Sequence, residues 1–352
     1  MHAQTAGHII GMDTIKLTSP ADLIAAVPAL LGLVPTRSAV LICMTGPNAT
    51  RVDLLMRVDL PDPHEAGDIP NQVSELADLC VRRGAAAVSL VVIEDRAPLA
   101  GDVAHRGFVR ALRRELNRSG TQLSLAVCST ATTTGAVWHD YLGGATGVLP
   151  DPSASVVAAT HVALGRVIHA DRASVANTFK PDPPWLLDQR AETMARLAAT
   201  TDAGLPRQYE SLRSAVSACT ELQDDPAQAL TPIGLAEIGV ALSDPTLRDA
   251  CFGLSIGPNA LAARQLWLYL TSALPVPVRA EAAVLAAFGF YIGNEGVLAG
   301  AALDVALGCV PRHRMAILLS TALRGGMPPE QMRGLAESGA EIAAKLMAAA
   351  DS

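Results

Sequence analysis

The spacing of apolar and polar residues divides the chain into a first half of alternating strands and helices and a second half of helices. Apolar runs at 38–44, 88–93 and 122–128 are typical of buried strands, and a further strand is predicted at 51–60. Because few residues separate 38–44 from 51–60, these two strands are expected to form a hairpin.

Helical periodicity fills the intervals between these strands. The three predicted helices lie at 21–31, 64–83 and 103–119. The first of them has clear boundaries, since Ser19 and Pro20 precede it and Gly32 follows it. The order strand, strand, helix, strand, helix, strand predicts an α/β domain with a mixed, partly parallel sheet and helices packed on it.

A proline-rich stretch at 180–184 is the clearest linker in the chain. Before it, a helix is predicted at 153–169, and a shorter one begins after Asp171. After it, every segment has helical periodicity, with predicted helices at 185–200, 209–223, 227–243, 260–274, 280–292, 297–307, 312–323 and 329–350.

This pattern predicts two domains. The first is the α/β domain, over 12–180, and the second is an all-α, repeat-like helical domain over 185–352. Residues 1–11 are predicted to be a disordered N-terminal extension. The length of 352 residues, with 50% hydrophobic, 17% charged and 3% aromatic residues, suits two folded domains and excludes a disordered chain.

The strongly apolar stretch 282–308 resembles a membrane span at first inspection. Asn294 and Glu295 interrupt it and leave runs shorter than the roughly 20 residues that a spanning helix needs, so we expect a pair of core helices. Gly289 and Gly293 are one helical turn apart, as are Gly296 and Gly300. This spacing predicts close approach of neighbouring helix backbones.

The net charge and the pattern of cysteines limit the binding partners and the cellular compartment that we expect for this protein. The formal net charge of −7 disfavours a nucleic-acid-coating protein, whose affinity would come from Lys and Arg. The 6 cysteines are scattered without C-x-x-C pairs, as expected for buried thiols in a reducing compartment. No signal peptide is recognisable, so we expect a cytoplasmic protein with no membrane partner.

A family resemblance rests on stretches spread over most of the chain. They are 17–35, Ser38-Ala39-Val40, 57–61, Trp138 with Tyr141, 292–311 and 325–329. As a set, these stretches resemble the DUF4192 family, an actinobacterial family of uncharacterised proteins. The resemblance implies an architecture and no particular reaction. The family pattern has cysteines and a Cys-Pro pair after Tyr141, whereas this chain has Leu142-Gly143-Gly144 there, so a function of those cysteines is not expected in this chain.

Polar residues follow the buried strands where ligands bind in α/β sheets, outside the carboxyl ends. The candidates are Glu94, Asp95 and Arg96 after one strand and Ser129, Thr130, Thr132, Thr133 and Thr134 after the next. Carboxylates, a guanidinium and hydroxyls suit acid–base chemistry, phosphate binding or a divalent metal ion. The simpler interpretation, which we favour, is a polar loop that caps and solvates the strand ends.

Trp138 and His139 follow this loop closely and are candidate pocket residues, although Trp138 and Tyr141 are more typical of packing anchors. His139 is also a candidate catalytic residue together with Glu94 and Asp95. A Ser129/His139/Asp140 triad is disfavoured, because adjacent His and Asp side chains rarely face each other and no G-x-S-x-G motif is present.

Two sets of charged residues complete the candidates. Arg57 and Asp59 share one face of a strand, which favours a structural ion pair over a substrate clamp. The second set is a basic helix face that could dock a partner, although solvated helix faces often have this composition. Its members are Arg106, Arg110, Arg113, Arg114 and Arg118.

The common nucleotide-binding and zinc-protease motifs are missing from the sequence. We therefore expect a non-catalytic adaptor or regulatory protein that binds a protein partner or a small polar ligand, and homo-oligomerisation stays open. The alternative is a hydrolase or transferase acting on a small polar substrate at the strand ends, so the sequence does not decide whether the protein is an enzyme. No cofactor is predicted, and a divalent metal ion is the open alternative.

Overall fold

The computed structural model describes residues 4–6, 19–46, 49, 51–60, 69–96, 104–163, 165–200, 203–221 and 226–349. The chain divides into two compact units. The first consists of Met1–Val175, Asn294–Val297 and Arg324–Gly326, and the second consists of Ala176–Gly293, Leu298–Leu323 and Met327–Ser352. Two short segments from the second half of the chain therefore belong to the first unit.

The first unit is built on a seven-stranded sheet with the order β1-β3-β2-β4-β5-β6-β7. The strands are β1 (Gln4–Ala6), β2 (Ser38–Thr45), β3 (Arg51–Asp59), β4 (Ala87–Ile93), β5 (Gln122–Ser129), β6 (Val137–Asp140) and β7 (Thr146–Val148). Strands β4 and β5 are parallel, and the other neighbouring pairs are antiparallel. The predicted mixed α/β fold and the β2–β3 hairpin are confirmed.

Helices cover both faces of this sheet. They are α1 (Pro20–Leu31), α2 (Ile69–Arg82) and α3 (Arg106–Arg118). Residues such as Ile24 on α1 pack against Val91 and Val127, whereas Phe108 on α3 packs against Leu90 on the opposite face. Because side chains alternate along a strand, an apolar residue at nearly every position of β4 indicates burial on both faces.

Helix α1 begins and ends as its sequence signals predict. Ser19 accepts a hydrogen bond from the backbone N–H of Asp22, and Asp22 accepts one from the N–H of Ser19, both at 3.1 Å. Gly32 ends the helix at a φ of 74°, in the left-handed region.

The second unit is mostly helical, as predicted. Two helices after β7, α4 (Val156–Ala163) and most of α5 (Arg172–Asn177), still belong to the first unit. The helices that follow them are α6 (Pro184–Thr200), α7 (Leu205–Glu221), α8 (Pro226–Ala229), α9 (Pro232–Leu242), α10 (Pro245–Cys251), α11 (Ala260–Ala273), α12 (Val278–Ile292), α13 (Gly296–Cys309), α14 (Arg314–Arg324) and α15 (Pro329–Ala348). Trp267 and Phe288 are fully buried in the core of the second unit.

None of the described helices has the length and apolarity that crossing a membrane requires. All 6 cysteines are free thiols.

Several predicted element boundaries are wrong. The helix expected at 153–169 is a 3-10 turn followed by α4, which ends at Ala163. The helix expected at 227–243 is two helices, because Thr231 caps α9 and Pro232 begins it. Strands β6 and β7 and helix α10 were not predicted. Gln4–Ala6, within the expected N-terminal extension, pair with β3, and the rest of 1–11 lies outside the described residues.

The surroundings of the glycines in the predicted pairs differ. A Cβ atom on Gly289 would lie 3.3 Å from Cγ of Arg264, and one on Gly300 would meet only Leu323, at 3.8 Å. These glycines therefore face side chains rather than a neighbouring backbone. A close backbone approach also occurs between Gly253 and α15, where a Cβ atom on Gly253 would lie 2.6 Å from the backbone nitrogen of Ala340.

Candidate functional site

The carboxyl ends of β4 and β5 lie side by side because these two strands are parallel. The backbone N–H of Glu94, the residue after β4, donates to the carbonyl oxygen of Ser129 at 3.0 Å. The two polar segments that the sequence singled out are therefore adjacent.

Glu94 forms a pair with His105 that the sequence did not predict. Nε2 of His105 lies 2.7 Å from Oε2 of Glu94, and the two side chains are only 8% and 5% exposed. The backbone N–H of Arg96 donates to the other oxygen of Glu94 at 3.1 Å, and the Arg96 guanidinium lies 3.7 Å from it. Buried carboxylates need such partners, and Glu94 has them.

The conformation of His105 brings its side chain to Glu94. The predicted helix at 103–119 begins only at Arg106, because His105 has a φ of 59° and lies in the left-handed region. Histidine is among the non-glycine residues that adopt this conformation more often than most. No sequence signal marked His105, since it was assigned to the interior of a helix.

Tyr141 and Cys128 extend this polar cluster. The Tyr141 hydroxyl donates to the carbonyl oxygen of Ala104 at 2.5 Å, and the Cys128 thiol lies near enough to Tyr141 for each group to affect the pKa of the other. Burial raises the pKa of the Tyr141 hydroxyl and the pKa of the Cys128 thiol. Both groups are therefore held in their protonated forms at neutral pH.

The remaining candidates at the strand ends differ in exposure. Asp95 is exposed, as are Thr130, Thr133 and Thr134. Thr132 is 4% exposed, and its hydroxyl has no hydrogen-bond partner among the described residues. The Ser129 hydroxyl donates to the carbonyl oxygen of Ala131 at 2.7 Å, so it stabilises the turn into β6.

Trp138 and His139 point to opposite faces of β6. Trp138 packs into the α1-side core, and a Cβ atom on its partner Gly147 would lie 2.8 Å from the indole Nε1. His139 makes an edge contact with Tyr141, with ring centroids 6.4 Å apart. Asp140 accepts hydrogen bonds from the backbone of Leu142 and Gly143, so the disfavoured triad is not assembled.

Arg57 and Asp59 form an ion pair that also includes Arg172. Nη2 of Arg57 donates to Asp59 at 2.9 Å, and Nη2 of Arg172 donates to both oxygens of Asp59, at 2.8 and 2.7 Å. Arg57 is 2% exposed, and burial, followed by the charge of Arg172, lowers the pKa of its guanidinium. Such a pair, linking β3 to the residue that begins α5, suits a structural role.

Helix α3 presents a shallow groove of about 480 Å³ that is lined by arginines. The described lining residues are Arg110, Arg113, Arg114, Asn117 and Arg118. Arg106 does not line this groove, and its charge instead acts on Tyr141. Glu115 pairs with Arg118 at 2.9 Å, whereas no described carboxylate forms an ion pair with Arg110 or Arg113.

A comparison with protein families identifies the family of this chain. A family model described as "Domain of unknown function (DUF4192)" matches residues 20–330, which is most of the sequence. The chain belongs to the DUF4192 family. None of the curated proteins searched matches this DUF4192 protein, and no solved structure matches it.

Chemistry in this DUF4192 protein must therefore be inferred from its own residues. No cluster of three or more His, Cys, Asp or Glu side chains suited to a metal ion is found within the described part of the chain. At the strand ends, the candidate Glu94 contacts His105, which the sequence did not single out, and Tyr141 and Cys128 complete that cluster. The arginine groove on α3 is the other feature with an evident chemical preference.

Proposed function

We propose that this DUF4192 protein is a non-catalytic binding protein whose α3 arginine groove docks an acidic segment of a partner protein. The observation that carries this proposal is the groove lining of four arginines, of which Arg114 and Arg118 lie 3.7 and 2.9 Å from Glu115, whereas Arg110 and Arg113 form no ion pair with a described carboxylate. Guanidinium groups bind carboxylates in bidentate geometry, and Arg110 and Arg113 provide two such groups on one helix face.

The helix positions these arginines together. Phe108, Val109, Leu112 and Leu116 are buried, so the opposite face of α3 is fixed toward solvent. Arg110, Arg113 and Asn117 are three or four residues apart and lie on that face as neighbours. The groove therefore offers a row of donors about one to two helical turns long, which matches a short acidic peptide.

The overall charge favours an acidic peptide over a nucleic acid. The chain carries a formal net charge of −7, so its overall charge repels a long polyanion. Aromatic residues, which stack on bases in many single-strand-binding proteins, make up only 3% of the sequence. A short acidic segment can contact the local basic groove without meeting the rest of the surface.

Catalysis at the strand ends is the second candidate, and the Glu94–His105 pair is the observation that favours it. A carboxylate that orients an imidazole is a common arrangement in acid–base catalysis. Both side chains are almost fully buried, however, and the Ser129 hydroxyl is bonded to the backbone. The pair is therefore better explained as a structural contact between β4 and the start of α3.

The binding proposal is tested with a fluorescein-labelled oligoglutamate peptide and fluorescence anisotropy. We expect saturable binding that weakens with added salt, and we expect Arg113→Glu to raise the dissociation constant at least about tenfold. Arg51→Glu is the matched control, because Arg51 is exposed on the same unit and does not line the groove. Equal loss of binding in both variants would refute a specific groove. Tighter binding of a single-stranded oligonucleotide of equal charge would refute the acidic-protein partner.

A further inference from the structure

Two of the cysteines, Cys43 and Cys80, form a close pair inside the first unit. The Cys43 thiol donates a hydrogen bond to the sulfur of Cys80, and the two Sγ atoms are 3.1 Å apart. Cys43 lies on β2 and Cys80 lies on α2, 37 positions later in the sequence. Both are free thiols and both are fully buried. The fold therefore brings together two sulfur atoms that are far apart along the chain.

The surrounding elements hold this pair in place. Cys43 lies on a strand that is hydrogen-bonded to β3 on one side and to β4 on the other. Cys80 lies on the apolar face of α2 and packs in the same core as Cys43. One residue after α2, Nη2 of Arg83 lies 2.6 Å from Oδ2 of Asp53 on β3, so an ion pair joins the end of the helix to the sheet. The packing of strand and helix therefore sets the distance between the two sulfur atoms.

This arrangement suits a reversible disulfide. Two cysteines can be joined without backbone movement only where their side chains face each other, and the hydrogen bond between Cys43 and Cys80 shows that these two do. Disulfides that form in a reducing compartment are usually transient, and many of them sense oxidants. The other four cysteines lie on separate elements, β5, α7, α10 and α13.

The closed structure protects the pair. The hydrogen bond to Cys80, followed by burial, raises the pKa of the Cys43 thiol well above its ordinary value, so this thiol keeps its proton. Buried, protonated thiols react slowly. Cys80 lies only two residues from the end of α2, where Arg82 is exposed, and helix ends open more easily than central strands. Reaction is therefore expected to be slow and to begin at Cys80, after local opening of the last helical turn.

We propose that Cys43 and Cys80 are a redox-modification site that hydrogen peroxide converts from two thiols to a disulfide. The Cys80 sulfur first attacks a peroxide oxygen, the O–O bond breaks, and the products are a sulfenic acid and water. The Cys43 sulfur then attacks the Cys80 sulfur, the S–O bond breaks, and the hydroxyl leaves as water with the Cys43 proton. The thiols are oxidised and the peroxide is reduced. The site does not involve the α3 arginine groove, so either proposal can fail alone.

The test is treatment of the reduced full chain with hydrogen peroxide under native conditions, followed by alkylation and peptide mass spectrometry. We expect one disulfide, between Cys43 and Cys80, a mass loss of about 2 Da, and reversal by dithiothreitol. The oxidised chain should melt at a higher temperature, because the bond restricts the unfolded state. The same treatment in urea should give mixed pairings, since only the folded chain holds these two sulfur atoms together.

Cysteine variants provide the matched controls. Cys80→Ala should abolish the disulfide and leave Cys43 open to alkylation after denaturation. Cys251→Ala removes an equally buried cysteine on α10 and should form the Cys43–Cys80 disulfide at the wild-type rate. The peptide map of the wild type decides the proposal even if a variant folds poorly. Thiols at 43 and 80 that stay reduced after overnight treatment, another pairing in the folded chain, or the same single pairing in urea would overturn it.

Discussion

At the scale of single residues, the buried Glu94 carboxylate depends on one neighbouring side chain, His105, for a hydrogen-bond partner. Glu94 is 5% exposed, and its Oε2 atom lies 2.7 Å from Nε2 of His105. A buried carboxylate that loses a hydrogen-bond partner keeps its desolvation cost without compensation. His105 is therefore expected to stabilise the fold through Glu94.

We predict that His105→Asn lowers the free energy of unfolding by about 2 kcal/mol, measured by urea denaturation. Asparagine tolerates the left-handed backbone of position 105, so the loss reports the side-chain contact rather than strain. His139→Asn is the control, because His139 is half-buried and no hydrogen bond joins it to a described carboxylate. An unchanged stability of His105→Asn would show that the pair is not structural and would strengthen the catalytic alternative.

At the scale of elements, helix α15 depends on a close contact with the turn at Phe252–Ser255. A Cβ atom on Gly339 would lie 2.6 Å from the backbone nitrogen of Gly253 and 2.7 Å from the carbonyl oxygen of Asp249. Backbone atoms cannot move aside as a flexible side chain can. Glycine is therefore required on both sides of this contact.

We predict that Gly339→Ala and Gly253→Ala each lower the free energy of unfolding by about 3 kcal/mol. Gly334→Ala on the same helix is the matched control, since a Cβ atom there meets nothing within 4 Å. Alanine has the higher helix propensity, so this control should gain up to about 1 kcal/mol in the same urea experiment. Similar values for Gly334→Ala and Gly339→Ala would contradict the close contact.

These elements also show what the sequence could and could not predict. Local signals were sufficient to predict the bounds of α1, because the capping residues and the terminal glycine lie within a few residues of the helix ends. Periodicity was sufficient for β4 and for the buried face of α3. Contacts between distant segments were not encoded locally, so the sequence analysis predicted neither the Glu94–His105 pair nor the contact of Gly253 with α15. Short strands such as β6, with four residues, were also missed because they carry little periodic signal.

At the scale of the whole molecule, the two compact units do not follow the order of the sequence. Asn294–Val297 and Arg324–Gly326 belong to the first unit, although they lie beyond the proline-rich stretch 180–184. Within that unit Arg166 Nε lies 3.9 Å from Glu295 Oε1. Gly326 also lies in the first unit beside Leu79, where an added Cβ atom would be 3.2 Å from the leucine Cδ1. The first unit is therefore incomplete in a chain that ends at the linker.

We predict that a fragment of residues 1–180 is less stable than the same unit in the full chain. Amide hydrogen exchange in β4 should be at least about tenfold faster in the fragment, because Leu79 and Arg166 lose contacts supplied by Gly326 and Glu295. A full chain with a Gly-Ser insertion within 180–184 is the control, since it retains both late segments and should keep the original protection. Equal protection of β4 in the fragment and in the full chain would show that these segments add nothing to the first unit. It would then leave the linker as the true boundary between two independently stable halves.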